Sequence, residues 1–327
     1  MPSEARTRQI LQEELGRLIP TGVGVVSNAG IGRTFYVNNA ASNESDTTGG
    51  LSWASPLATI DAAIGLCVAG RGDRIMVGPG HAETIATATA IAIDIAGITI
   101  EGVGNGALKP TITYATAATA LTTTISVTAA NVTIKNIKFK VTATASMSDV
   151  TSMLTISENH CTVEDCDFEG NSTFQFLNAI AITTTYDFVT IRRCRFIQDT
   201  DPAGTDGGAA TGGIYLVDSE HVLVQDCQFI GNFETACIHN KTTACKYLVV
   251  ERCYMYCALA GSEPFQLVAA AIGCCKETFV HTPAEAAATE ATLFGTLGDA
   301  FFIAASSSGG NDGAAGGQGG IVATAAS

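Results

Sequence analysis

A pair of carboxyl groups flanking a glycosidic bond can cleave it, one protonating the leaving oxygen while the other attacks or activates water. This sequence gathers candidates for such a pair in and after one long insertion: Asp199, Asp201 and Asp206, then Asp218 and Glu220. Asp199, Asp201 and Gly204 also have the spacing of hard oxygen ligands on a glycine-bearing loop that grips calcium, but the distant glutamate of a full calcium loop is missing. Acidic residues in turns are ordinarily just solvated. The expectation is therefore no catalytic residue, with Asp199, Asp201, Asp218 and Glu220 the acids to test if the chain is an enzyme. Cys237, His239 and Cys245 could in principle hold zinc, yet their spacing matches no standard structural site, and core packing is the favoured reading. Gly102, Gly104 and Gly106 are followed by no helix, so a dinucleotide loop is discarded. No metal or cofactor is expected.

The elements that would position these groups follow from a repeat. Blocks of one form, apolar-x-apolar-x-x-(Cys/Ile)-x-(Phe/Met), begin at Val132, Cys161, Val189, Val222 and Leu248. Their sixth positions are Ile137, Cys166, Cys194, Cys227 and Cys253, and their eighth are Phe139, Phe168, Phe196, Phe229 and Met255. Ile98, Ile100 and Val103 form a less regular preceding copy. Alternation at period two marks strands with one buried face. A second apolar segment precedes each block (Met153 to Ile156, Ala179 to Ile182, Ile214 to Leu216), with turn formers between them. The unit is strand, turn, strand, turn, too short for a propeller blade and without room for a helix. Parallel strands stacked coil on coil put equal residues in internal columns, as Cys and Phe recurring at one offset require. The reading is an all-β chain, a parallel β-helix over residues 83–276.

Composition agrees with that reading and narrows the function. The 327 residues carry a formal charge of −14, with 15% charged residues against roughly 25% in ordinary soluble domains. No basic block exists to bind nucleic acid, and no uninterrupted apolar stretch is long enough to span a bilayer. The first nineteen residues alternate charge and apolar groups, unlike a secretory signal. The eleven cysteines are odd in number and read as reduced, buried small hydrophobes.

Residues 33–82 form a distinct module. A strand at Thr34 to Val37 leads through a polar loop to Ser55, read as a helix N-cap with Pro56 at the first helical position. Ile60, Ala63, Ile64 and Cys67 then share one helical face, and Gly72, Asp73, Ile75, Val77, Pro79 and Gly80 give turn, strand and stop. Tyr36-Val37, Pro56, Thr59-Ile60, Ala63, Gly72-Asp73, Ile75, Val77 and Pro79-Gly80 together resemble the start of pectin-lyase-like right-handed parallel β-helix proteins. The resemblance spans residues 34–255. It implies a right-handed solenoid closed at its N-terminal end by the helix, and it specifies fold better than function, because this fold hosts lyases, glycosidases, phage tailspikes and non-catalytic virion parts. Lyases of this kind combine calcium-bound aspartates with an arginine base; Arg192, Arg193 and Arg195 share a strand, but no matching aspartate column accompanies them.

Residues 1–32 form an arm whose amphipathic stretch presents Ile10, Leu11, Leu15 and Leu18, either to a larger partner or back onto its own solenoid. Residues 277–327 are Ala- and Gly-rich, with no Lys or Arg after Lys276. Few charges and Ala/Thr-rich sequence over 84–130 suggest a shaft that associates with itself. The expectation is a structural protein of a tailed-phage virion: a homotrimeric capsid decoration or appendage protein, anchored on the major capsid protein or another virion protein and assembled in the host cytoplasm. The alternative is a tailspike-type protein that binds or depolymerises a host surface glycan.

Overall fold

The computed structural model describes residues 32–85, 90–114, 125–142, 152–170, 176–183, 188–198, 210–240, 243–258, 263–282, 294–298, 300–304 and 307–310. Its strands form three parallel sheets of ten, nine and eight strands, here called A, B and C. The chain visits A, then B, then C, and each strand pairs with its equivalent one turn later; Thr162–Glu164 of sheet A, for example, lies between Thr133–Lys135 and Thr190–Arg192. This is the expected β-helix. It also extends past the central repeat, because Thr34–Val37 pairs with Arg74–Val77 at one end, while Phe279–Thr282, Ala300–Ala304 and Ser307–Gly310 add rungs at the other.

From Thr133–Lys135 to Ile272–Lys276, each strand of sheet A passes to sheet B through two residues. The first takes a left-handed backbone at Asn136, Asp165, Arg193, Asp226, Arg252 and Glu277, with φ between 51° and 56°. The second points inward, and it is the sixth position of the repeat: Ile137, Cys166, Cys194, Cys227 and Cys253, all buried. Their chemistry explains the choice of residue. Each of the four thiols folds back onto the carbonyl two residues earlier, as Cys166 Sγ does on Glu164 O at 3.3 Å and Cys227 Sγ on Gln225 O at 3.3 Å. In the next rung Thr278 Oγ1 makes the same bond to Lys276 O at 3.1 Å. The corner calls for a small buried donor that satisfies a turn carbonyl.

Two positions later the rings of Phe139, Phe168, Phe196 and Phe229 stack in one column, with centroids 4.8, 5.1 and 4.5 Å apart and planes within 8° of parallel. All four are buried. A strand spacing near 4.8 Å lets flat rings in register fill the interior without gaps.

The short helix Ile60–Ile64 buries Ile60, Ala63 and Ile64 against the first strands of sheets A and C. The expected N-cap is corrected here. Thr59, not Ser55, caps the helix, its hydroxyl accepting from Ala62 N at 3.2 Å. The Asp46 carboxylate accepts from Ala58 N and Thr59 N at 2.9 and 3.0 Å and holds the preceding residues extended, so Pro56 lies outside the helix. The arm residues Ile10, Leu11, Leu15 and Leu18 lie outside the described residues.

All eleven cysteines are free thiols, and all but the half-buried Cys274 are buried. Burial pushes the Cys67 thiol up to about 12, with the Asp73 charge adding to it, and Cys245 up to about 11. Thiolate is the reactive form, so these side chains are inert while folded. At pH 8 an aromatic disulfide reagent should modify Cys274 alone in the native protein and all eleven thiols after unfolding in guanidinium. Rapid modification of several thiols before unfolding would mean that the columns are not interior.

Candidate functional site

Outward positions of the same strands carry the charge. On sheet A, Lys135, Glu164 and Arg192 are neighbours in successive rungs. Glu164 is the centre of this group: Lys135 Nζ lies 3.1 Å from Oε1, Arg193 reaches the same oxygen at 3.1 Å, and Arg192 binds Oε2. At the turn, Arg193 Nε pairs with Asp165 one rung below and Arg252 Nε with Asp226, each at 2.8 Å. On sheet B, Lys109 holds Asp167 and Lys138 holds Glu169, both at 2.8 Å. Further along sheet A, Lys276 Nζ binds Glu251 Oε2 at 2.5 Å. Sign therefore alternates from rung to rung. In a parallel, in-register stack every residue faces its own equivalent at strand spacing, where like charges repel, so alternation, interrupted on sheet A by Gln225, lets neighbouring rungs attract instead.

Between sheets A and B these side chains line an open groove of about 620 Å³, from Glu101 and Asn105 past Lys109, Lys138 and Asp167 to Arg195. Its carboxylates are engaged: Glu101 lies 3.7 Å from Arg74, and Asp165, Asp167 and Glu169 pair with Arg193, Lys109 and Lys138. Elsewhere on the surface of sheet A, burial opposes ionisation of Glu164, but hydrogen bonds from Lys135 and Arg192 outweigh it and hold the carboxyl below the usual range. Arg193 does the same for Asp165, and Lys276 for Glu251. A general acid working near neutrality needs the opposite displacement.

Of the acids singled out for catalysis, Asp199, Asp201 and Asp206 lie outside the described residues, as does the candidate calcium loop. Asp218 and Glu220 share the turn from sheet C to sheet A. Asp218 adopts a left-handed backbone, while Glu220 pairs with Lys246 at 2.7 Å, which keeps its carboxyl below the usual range. Arg192, Arg193 and Arg195 all face carboxylates. The three zinc candidates diverge. Cys237 Sγ lies 3.5 Å from Cys257 Sγ in the interior, Cys245 Sγ accepts from Asn240, and His239 bonds Asn178 Oδ1 at 2.8 Å. No group of three His, Cys, Asp or Glu among the described residues is placed to hold a metal ion.

Two arrangements escaped the sequence reading. His160, Phe188, His221 and Tyr247 stack at 5.0, 4.8 and 4.7 Å along the turn from C to A, each with φ between 55° and 60°. The signal was present, since each stands one residue ahead of a repeat block. On sheet C, His239 crosses Gly212 to reach Asn178; a Cβ at Gly212 would lie 2.4 Å from the imidazole.

The match that decides the family covers residues 80–254, which fit the family described as right-handed β-helix region. The chain belongs to this family. Within the right-handed β-helix fold, solved structures similar to it include the pectate lyase Pel9A, at 14% identity and a TM-score of 0.58 over 87% of this chain and 79% of that one. A rhamnogalacturonan lyase follows at 12% identity and 0.48, over 77% of this chain and 74% of the other. A lacto-N-biosidase from Eubacterium ramulus gives 10% and 0.46, this chain covering 63% of its length and 86% of itself being covered. A search of curated proteins finds no match. At such identities the likeness to Pel9A is one of fold, and it bears out the pectin-lyase-like resemblance at that level.

Proposed function

We propose that this β-helix is a structural component of a tailed-bacteriophage virion, a capsid decoration or appendage protein that stands on the particle as a homotrimer. In this reading it is assembled in the host cytoplasm, and residues 1–32 seat it on the major capsid protein or another virion protein. The observation that carries a structural rather than a catalytic role is the closure of charge along the shaft. Glu164, Asp165, Glu220 and Glu251 each sit against Lys or Arg and are held in the ionised state. Such a surface stiffens a rod and leaves those carboxyls without a proton to donate near neutral pH. The few charges of the whole chain suit a shaft packed beside copies of itself.

Gold-labelled antibody raised against the chain should decorate particles of the phage that encodes it, with label on the head. Particles without label anywhere would overturn the virion role. Purified protein incubated with host capsular polysaccharide should release no reducing or unsaturated ends; their appearance would transfer the reading to a tailspike-type depolymerase.

A further inference from the structure

We propose that the outward face of sheet B, over its C-terminal rungs, is where a second copy of this chain packs; this rests on the homotrimer reading above. Along the shaft this face changes chemistry. The column that holds Lys138 and Asp167 near the N-terminal end continues through Arg195 and Gln228 to Tyr254 and Phe279. The neighbouring column, which holds Lys140 and Glu169, continues as Ile197, Ile230, Tyr256 and His281. Tyr254 and Phe279 are each 39% exposed. Their rings stack at 5.6 Å, and those of Tyr256 and His281 at 5.1 Å, so the ring faces cover one another and the edges look outward. A strip results that runs from Ile197 and Ile230, flanked by Arg195 and Gln228, to a C-terminal end that is aromatic in both columns.

Charge selects the occupant. Copies with a net charge of −14 repel one another unless they meet on a face that adds no like charge. The strip qualifies, since none of Ile197, Ile230, Tyr254, Tyr256, Phe279 and His281 carries a carboxylate. Sheet C and the segments leaving it do not qualify, because Glu158, Asp218, Glu234 and Glu263 lie there and none forms an ion pair among the described residues. A cationic partner would favour those acids; a copy of the same acidic chain favours the neutral strip. Aromatic side chains with polar tips are also the residues enriched at the centres of protein interfaces.

The test is the solution mass of the full chain by light scattering after size exclusion. Wild type should have the mass of three chains. A Tyr256→Glu, Phe279→Glu double variant should fall to one third of that mass with an unchanged far-UV spectrum, and Glu234→Gln on sheet C should remain at three chains. If the double variant loses its far-UV signal, Tyr254→Glu alone is scored by the same criterion. A three-chain wild type with a three-chain variant would overturn the strip and leave the homotrimer standing. A one-chain wild type would sink both.

Discussion

Phe196→Ala should lower stability by about 3–5 kcal/mol, the usual range for removing a buried phenyl ring from a packed core. Phe196 is fully buried, and its two faces lie against Phe168 at 5.1 Å and Phe229 at 4.5 Å. Deleting it leaves two rings with one bare face each, and aromatic pairs are worth ~0.5–1.5 kcal/mol beyond their area. The surrounding backbone cannot collapse into the gap, because strand spacing is fixed by the ladders on either side. Coils contact mainly their immediate neighbours, so the loss should also divide the shaft into two less cooperative halves. Thermal melts followed by circular dichroism should show a midpoint lower by about 10 °C and a broader transition. Phe196→Leu, which keeps most of the volume, should cost about 1 kcal/mol. A stability loss below that figure for the alanine variant would mean that the column is not what fills the interior.

Glu164→Lys should be nearly as damaging, at about 3–5 kcal/mol, for an electrostatic reason. The Glu164 side chain is 7% exposed and is shared by Lys135, Arg192 and Arg193. Reversal buries an ammonium among three cations, and losing one member of a desolvated ion cluster strands the rest. Glu164→Gln should cost less, and Arg192→Glu in the lysine background should restore part of the loss. The same contacts set the response to acid. Because the folded-state pKa values of Glu164, Asp165 and Glu251 lie below their unfolded values, the unfolded chain binds more protons in acid, and stability falls as pH drops. The contribution is complete above the ordinary carboxylate range near ~4.3 and disappears as pH passes down through the lowered values. Melting temperature should be flat between pH 8 and about 5 and decline below about 4. Equal melting of wild type and Glu164→Lys at pH 7 would refute the account.

The interior was legible because a parallel stack repeats it literally. Cys166, Cys194 and Cys227 recur at one offset because one corner geometry recurs, and Phe168, Phe196 and Phe229 because one gap does. The helix start was misread because Ser55 and Pro56 carry a local capping signature that the carboxylate of Asp46, distant in sequence, overrides. The charge alternation was present in the repeat blocks, as Lys135, Glu164 and Arg192, but signs acquire meaning only once each block is known to lie on the next. His239 and Asn178 were invisible for the same reason: they are 61 residues apart and meet only because Gly212 between them has no side chain.

The turn column Asp165, Arg193, Asp226, Arg252 bears on how such a shaft can change its length over evolutionary time. Duplicating a single coil within it would set one sign beside itself whichever residue the new coil carried, whereas duplicating two adjacent coils preserves the sequence of plus and minus. Growth by tandem duplication is thus governed by parity, and a longer descendant of this rod should differ by an even number of charged turns, or carry an uncharged residue at the seam.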